Sequence, residues 1–329
     1  MTVKLGPIEV ENPFILAPMA GITDSPFRRL MRRRGCGLVV SELVSANGLF
    51  YSGDKSKDLL RFTIEERPIG LQVFGENIDR MRSACEYVEQ LGADFVDLNM
   101  GCPVPKVVKK GAGSALCRDL VRLSELLKTI KKSVKIPVTI KIRSGWDKDS
   151  INALEVSRVA QDCGIAWVCI HGRTRSQGYS GKADWELIGN VKAKVSIPVI
   201  GNGDVISAAD AIEKLKTYKV DAVMIGRGAL KNPFIFEEAS TGVMVGREGF
   251  LDLIDEHVFL LKETYSEHMA LVQARKFIAW YSSGLPGCHS FRKVVFELPE
   301  LEELRNRAKE FFFETFSSKQ SIEGNQTSS

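Results

Sequence analysis

The chain has 329 residues, 44% of them hydrophobic and 26% charged, with a formal net charge of +4. That balance describes a soluble globular chain with length for one large or two ordinary domains, and it excludes a disordered or collagen-like one. The charge is too mild to identify nucleic acid as a partner by itself, so the placement of the basic residues has to decide.

The opening residues Met1 to Gly6 have neither the apolar core nor the cleavage pattern of a signal peptide. Eight short apolar runs follow: Phe14–Ala17, Leu38–Ser41, Ile69–Phe74, Asp94–Leu98, Pro137–Ile142, Trp167–Ile170, Pro198–Ile200 and Ala222–Ile225. Segments with helical periodicity separate them. Glu76–Leu91 puts Ile78, Met81, Cys85 and Val88 on one face, and Leu120–Val134 and Ala208–Lys216 are others. Continuous apolar strands alternating with helices predict a parallel sheet covered on both faces. Eight repeats close a (β/α)8 TIM barrel, and the first 240 or so residues fit one; a doubly wound open sheet is the alternative. From Gly249 to about Phe316 only helical periodicity remains, with Leu251, Ile254, Val258 and Leu261, then Phe277, Ile278 and Tyr281, and a turn at Gly284-Leu285-Pro286-Gly287. The expected organisation is an α/β barrel over 1–240, an all-helical domain over 241–316 and a polar, disordered tail over 317–329.

The seven cysteines, Cys36, Cys85, Cys102, Cys117, Cys163, Cys169 and Cys288, are odd in number and no pair has Cys-x-x-Cys or zinc-finger spacing. They read as the reduced thiols of a cytoplasmic protein, and with four scattered histidines no metal site is expected. No apolar run approaches the roughly 20 residues that span a bilayer, so no membrane partner is expected, and no obligate protein partner is called for.

Function in a β/α barrel gathers at the C-terminal ends of the strands. Those ends carry Pro18-Met19-Ala20, Glu42, Gln72, Asn99 with Cys102, Lys141 with Arg143, His171 with Arg173, Asn202-Gly203-Asp204 and Gly226-Arg227. Polar or special residues after all eight strands exceed what polar loops alone produce. The glycine-bearing turns after the seventh and eighth strands stand where such barrels hold a phosphate on backbone N–H groups, and Arg227 adds a charge-assisted contact. Lys141 suits the carbonyl-rich edge of a flavin ring or a salt bridge; His171 suits the site or a structural cap. Neither a Rossmann glycine pattern nor a Walker loop is present.

The fourth strand leads into Asp97-Leu98-Asn99-Met100-Gly101-Cys102-Pro103, which reads as Asn99 and Cys102 in a loop, followed by Lys106, Lys109, Lys110, Gly111 and Gly113. A lone thiol among basic neighbours suits acid–base or nucleophilic chemistry on an anionic substrate. Taken alone it suits a small buried cysteine equally well.

With these residues assembled, the chain resembles the tRNA-dihydrouridine synthases, most closely their bacterial B-type branch. The matching stretches are Ala17–Asp24, Asn99–Pro103, Gly111–Leu116, Lys141–Trp146, His171–Arg175, Asn202–Asp204 and Met224–Arg227, and the likeness runs from about residue 8 to 315. The resemblance implies an FMN-containing barrel, driven by NADPH, that reduces the C5–C6 double bond of uridine in tRNA. It implies an FMN site of Pro18, Met19, Ala20, Gln72, Lys141, His171, Asn202, Gly203, Asp204, Gly226 and Arg227, with Cys102 as proton donor. Hydride from flavin N5 would add at C6 of the uracil, and a proton would reach C5 from Cys102 on the other face; a thiol of ordinary acidity is mostly protonated at neutral pH. Asn99 would hydrogen-bond the uracil edge.

A target base tucked into folded tRNA must be drawn out of its stack, which calls for a basic surface around the mouth. Its expected members are Lys106, Lys109 and Lys110, then Arg173 and Arg175, then Arg275, Lys276, Arg292 and Lys293, with the Arg28-Arg29 and Arg32-Arg33-Arg34 cluster joining them. Two other readings stay open: an FMN barrel acting on a free pyrimidine, and a non-catalytic RNA-binding barrel.

Overall fold

A computed structural model describes residues 2–51 and 54–326, with side chains for 2–51, 56–246 and 248–316. Eight parallel strands follow one another in order around a barrel: β1 Phe14–Leu16, β2 Val39–Val40, β3 Ile69–Phe74, β4 Phe95–Met100, β5 Val138–Arg143, β6 Val168–His171, β7 Val199–Asn202 and β8 Ala222–Ile225. β8 pairs with β1, and the ring closes where Ile15 bridges Leu38 and the Leu16 N–H donates to the Leu38 carbonyl. Each expected apolar run lies on one of these strands. The fourth differs in length: β4 continues to Met100, so Asn99 stands on the strand and not in the loop after it.

Side chains alternate in and out along a strand. Ile15, Ala17, Leu38, Val40, Phe95, Trp167, Cys169, Ile200, Ala222 and Met224 form one buried cluster that fills the lower barrel. Phe95 and Trp167 meet edge to face with centroids 4.7 Å apart. Gly70 makes room for this pair, since a Cβ there would stand 2.1 Å from the Phe95 ring. A feature with no clear mark in the sequence closes the floor. Val3–Leu5 and Ile8–Val10 form a two-stranded antiparallel ribbon, turned at Gly6, that drives Leu5 and Val10 into the same cluster. Three-residue strands carry too little periodicity to register. With the floor sealed, only the opposite end of the barrel is open to chemistry.

Helices α1 Ser25–Arg33, α2 Ile78–Gln90, α3 Leu120–Ser133, α4 Ala153–Asp162, α5 Trp185–Lys192 and α6 Ala208–Tyr218 alternate with the strands. Five of them begin at Asp24, Asn77, Asp119, Asp184 or Ser207, whose side chain accepts a first-turn N–H. Beyond Gly242 the described residues form helices only: α7 Arg247–Thr264, α8 Glu267–Tyr281, α9 Cys288–Glu297 and α10 Leu301–Gln326. The tail expected to be disordered, 317–329, lies outside the residues whose side chains are described. No helix among the described residues is long and apolar enough to cross a membrane.

The helical segment docks on α1, and the arginines expected to join a basic RNA-facing surface are engaged in ion pairs there. Arg28 is buried and paired with Glu66, Arg29 pairs with Glu65 and Glu263, Arg33 with Glu65 and Glu256, and Arg34 with Glu256. Arg32 donates to the Cys36 carbonyl. The cluster is a clamp between α1, the turn Ile64–Glu66 and α7.

Aromatic packing completes the junction. Phe27 stacks on Phe277 at 5.0 Å, and His257 of α7 lies 4.6 Å from the same ring. Tyr281 and His257 Nδ1 are 2.8 Å apart, and burial, with the charge of Lys276, lowers the imidazole to about 3. The folded state therefore keeps His257 neutral while the unfolded chain protonates below about pH 6.5. Stability should fall as pH drops from 6.5 toward 3, at about 1.4 kcal/mol per pH unit for this group. Urea unfolding at pH 7 and pH 5.5 checks it. His257→Gln should flatten the slope by that amount, and an unchanged slope would count against a neutral buried ring.

Candidate active site at the barrel mouth

The inward-facing positions nearest the C-terminal strand ends are polar. Gln72, Asp97 and Thr139 are in register across β3, β4 and β5, and one layer higher Asn99 is in register with Lys141. Lys141 Nζ donates to Asn202 Oδ1 at 3.0 Å, and Asn202 Nδ2 donates to the Met224 carbonyl at 2.7 Å, which ties β5, β7 and β8 across the opening. His171 is 8% exposed between them. Burial, then Lys141, Arg143, Arg173 and Arg227, lower it to about 2. The imidazole is thus neutral, and four cations surround it.

The turn after β7 is shaped by two residues. Gly203 has φ +124°, and a Cβ there would lie 2.6 Å from Ala183 Cβ and 2.9 Å from His171 Cδ2. Asp204 follows at φ +52°. Partial burial opposes its ionisation, but the Ala183 N–H and the Arg173 guanidinium, each 2.8 Å away, hold the carboxyl below the usual range. Trp185 Nε1 donates to the Gly203 carbonyl at 2.9 Å. Across the mouth, Pro18, Met19 and Ala20 leave β1 in a turn closed by the Ile22 and Thr23 N–H groups on the Met19 carbonyl. Glu42 accepts from the Gly21 N–H.

The thiol is held from both sides. Asn99 Oδ1 accepts the Cys102 N–H at 3.0 Å and the Gly101 N–H at 3.3 Å. The Cys102 carbonyl accepts Ser114 Oγ at 2.9 Å. Gly113, at φ +59°, allows that return, because a Cβ there would stand 2.9 Å from the Cys102 oxygen. Arg143 Nε donates to the Gly101 carbonyl and its Nη1 to Thr174 and Gly178, pinning the Cys102 loop to the loop after β6. Cys102 is half-buried, and the other six cysteines are buried.

The structure brings Pro18, Met19, Ala20, Asn99, Cys102, Lys141, His171, Asn202, Gly203, Asp204, Gly226 and Arg227 to the open end of the barrel, with Gln72 fully buried just beneath. Lys106, on the short helix Pro105–Val108, and Lys109 and Lys110 just after it are exposed beyond Cys102. Four expected RNA contacts have other duties. Arg173 is 3% exposed and donates to Asp204, Ser180 and Gly181. Arg275 donates to the Leu298 carbonyl after α9, and Arg292 to the Ala279 carbonyl. Lys276 donates to the Gly21 carbonyl at 2.7 Å and lies over the Phe277 ring. These side chains brace loops, with acceptors far along the chain that sequence spacing does not reveal. Arg175 remains at the rim, 4.7 Å from the Trp146 ring that Arg118 also covers at 4.5 Å. Asp97, Thr139 and Ser114 join the site without having been expected in it, as does Tyr179, whose ring lies 4.7 Å from the Arg227 guanidinium. The i, i+2 spacing of Asp97 and Asn99 on an inward face was the signal available.

The residues at the mouth fit a flavin that bears a phosphate: Lys141, Arg143, Arg173 and Arg227 lie around a neutral imidazole and favour an anion, and Gly203 lets the turn after β7 pack against Ala183 and His171, where a Cβ would clash. No group of three or more His, Cys, Asp or Glu residues that could hold a metal occurs among the described residues.

A sequence model of the family described as Dihydrouridine synthase (Dus) matches residues 15–317. The tRNA-dihydrouridine synthase B of Pseudomonas aeruginosa is 39% identical over 319 residues, covering 95% of this chain and 96% of its own. The tRNA-dihydrouridine synthase B of Xanthomonas campestris is 40% identical over 308 residues, covering 91% and 93%. A probable tRNA-dihydrouridine synthase of Rickettsia bellii is 39% identical over 318 residues, covering 94% and 98%. Among solved structures, histamine dehydrogenase from Rhizobium sp. 4-9 superposes with a TM-score of 0.54 at 13% identity, over 79% of this chain and 50% of that one. A 2-naphthoyl-CoA reductase superposes with a TM-score of 0.56 at 16% identity, over 73% and 52%. The chain spans about half the length of those two proteins, and at such identities the likeness is one of fold.

Proposed function

The chain belongs to the dihydrouridine synthase family, in its B-type branch, and from that premise we propose that the barrel mouth binds FMN, takes electrons from NADPH and reduces specific uridines of tRNA to 5,6-dihydrouridine. Bound there, the reduced flavin would supply hydride to C6 of the uracil ring. The remaining work falls to the chain's own side chains. Lys141 and Asn202 orient the cofactor ring, and Gln72, expected beside them, is buried beneath the mouth and engaged by Asp97 and Asn99. The Gly203 and Gly226 turns, with Arg227, hold its phosphate. Cys102 Sγ carries the proton destined for C5. Asn99 Oδ1 is occupied by two N–H groups, but Nδ2 has a second hydrogen beyond the one given to Gln72, free for the uracil edge. Seven free cysteines, six of them buried, suit a reducing cytoplasm.

The observation that carries this reading is the placement of Cys102. It is the one cysteine among the described residues that is not buried, and it stands in the same mouth as the cationic wall. The purified protein should show the visible absorbance of a bound flavin, or gain it when FMN is added. A colourless protein that FMN cannot reconstitute would contradict the enzyme reading and favour a non-catalytic barrel.

The tRNA-facing surface we propose differs from the one expected from charge alone. Lys106, Lys109 and Lys110 stay in it, with the Arg118–Trp146–Arg175 stack on one side. On the other stand Phe50 and Tyr51, 57% and 68% exposed, with Arg80 over both rings. Tyr51 and Arg80 line a cleft of about 670 Å³ that Lys110 also lines. Bases stack on such rings, and phosphates pair with such cations. Replacing the three lysines together by alanine should weaken tRNA binding at low salt. It should also flatten the dependence of log affinity on log salt by about 0.7–0.9 for each phosphate no longer neutralised. Titration of labelled tRNA at several salt concentrations checks it, and an unchanged slope would remove these lysines from the interface.

A further inference from the structure

A carboxylate inside a barrel is costly unless it is hydrogen-bonded. Asp97 is 3% exposed, and both of its oxygens are engaged: Oδ1 accepts Thr139 Oγ1 and Oδ2 accepts Gln72 Nε2, each at 2.6 Å. An apolar residue would fill the position as well, so the acid calls for a purpose. We propose that Asp97 is a positioning residue for the Cys102 loop, its carboxylate setting the direction of an amide relay through Gln72 and Asn99 that ends on the N–H groups of Gly101 and Cys102.

The relay follows from donor and acceptor counting. Asp97 accepts from Gln72 Nε2, so the Gln72 carbonyl oxygen must face the other way. There it accepts Asn99 Nδ2 at 2.8 Å. Asn99 therefore turns Oδ1 outward, where it receives the Gly101 and Cys102 N–H groups. A backbone N–H can only donate, and a carboxylate only accept. Both ends of the relay thus specify one orientation for the two amides, each of which could otherwise flip. The strands supply the spacing: Gln72 and Asp97 are in register, and Asp97 and Asn99 are two residues apart on one inward face. Burial pushes the Asp97 carboxyl up, against the hydrogen bonds of Gln72 and Thr139 and the charge of Lys141. Protonation leaves the relay intact, because the acid O–H could turn to Thr139 while the carbonyl still accepts from Gln72.

The relay can be interrupted without removing Cys102, and the reactivity of that thiol reports on its loop. The rate of Cys102 alkylation by iodoacetamide, read by peptide mass spectrometry on FMN-free protein, needs no turnover, so it is independent of the proposed reaction. Asp97→Asn should leave the rate near wild type, since its carbonyl can accept from Gln72 while its amide donates to Thr139. Asp97→Leu should change the rate by about fivefold, the effect of losing one hydrogen bond. Gln72→Met breaks the next link and should do the same, so it carries the test if Asp97→Leu fails to fold. Thr139→Val disturbs the same buried cluster outside the relay; it should lower Tm and leave the rate alone. Equal rates in Gln72→Met and wild type would overturn the relay, as would a Thr139→Val change as large as that of the relay variants.

Discussion

Replacing Cys102 by alanine should lower dihydrouridine formation in tRNA by about 10²- to 10⁴-fold, the usual contribution of a positioned general acid, while NADPH still reduces the bound flavin. The expectation rests on how little the substitution disturbs. The loop is held through the Cys102 backbone, by Asn99 on the N–H and Ser114 on the carbonyl, and neither contact uses the thiol. Alanine therefore removes Sγ and leaves the frame. Flavin reduction followed by absorbance under anaerobic conditions, and tRNA product followed separately, divide the reaction into its halves. If both halves fail although FMN remains bound, Cys102 serves the cofactor and not the uracil. If neither changes, the proton comes from elsewhere.

Arg28→Met should destabilise the protein by about 3–5 kcal/mol, the cost of leaving one partner of a buried ion pair behind, or a fall in Tm of roughly 4–7 °C. Arg28 is 1% exposed and Glu66 is fully buried. Its guanidinium also donates to the Thr23 carbonyl at 2.7 Å and the Arg61 carbonyl at 2.9 Å. Those two acceptors would lose this donor as well, one in the turn from β1 into α1 and one just before the turn Ile64–Glu66. The salt dependence of tRNA binding should stay as it is, because the clamp faces the helical segment and not the mouth. A stable variant with a flattened salt slope would return this arginine cluster to the RNA surface.

The barrel was legible because its strands are apolar on both faces, and eight such runs recur between helices. The ring of strand ends was legible for the same reason: once strands are counted, the residue after each is known. What escaped has a common cause. A strand that turns polar residues into an open mouth looks like a loop, so Asn99 reads as leaving β4 when it lies on it. An arginine on an amphipathic helix looks solvated until its glutamate is found far along the chain, as Glu256 and Glu263 are for Arg33 and Arg29. Lys276 misleads in the same way, since its acceptor is the Gly21 carbonyl at the opposite end of the sequence. Charge can be counted from a sequence, but its direction depends on tertiary neighbours. Hence the strand-end positions at the mouth and Cys102 were readable, whereas only part of the expected basic surface coincides with exposed basic groups.

The most direct measurement is the mass of the uridines in tRNA lacking dihydrouridine after incubation with FMN-loaded protein and NADPH, read nucleotide by nucleotide after nuclease digestion. Particular uridines should gain two hydrogens, with free uridine untouched under the same conditions. Reduction of free uridine as fast as tRNA would point to a small-pyrimidine enzyme. No gain in any tRNA uridine, from protein whose FMN is seen to be reduced by NADPH, would contradict the assignment outright.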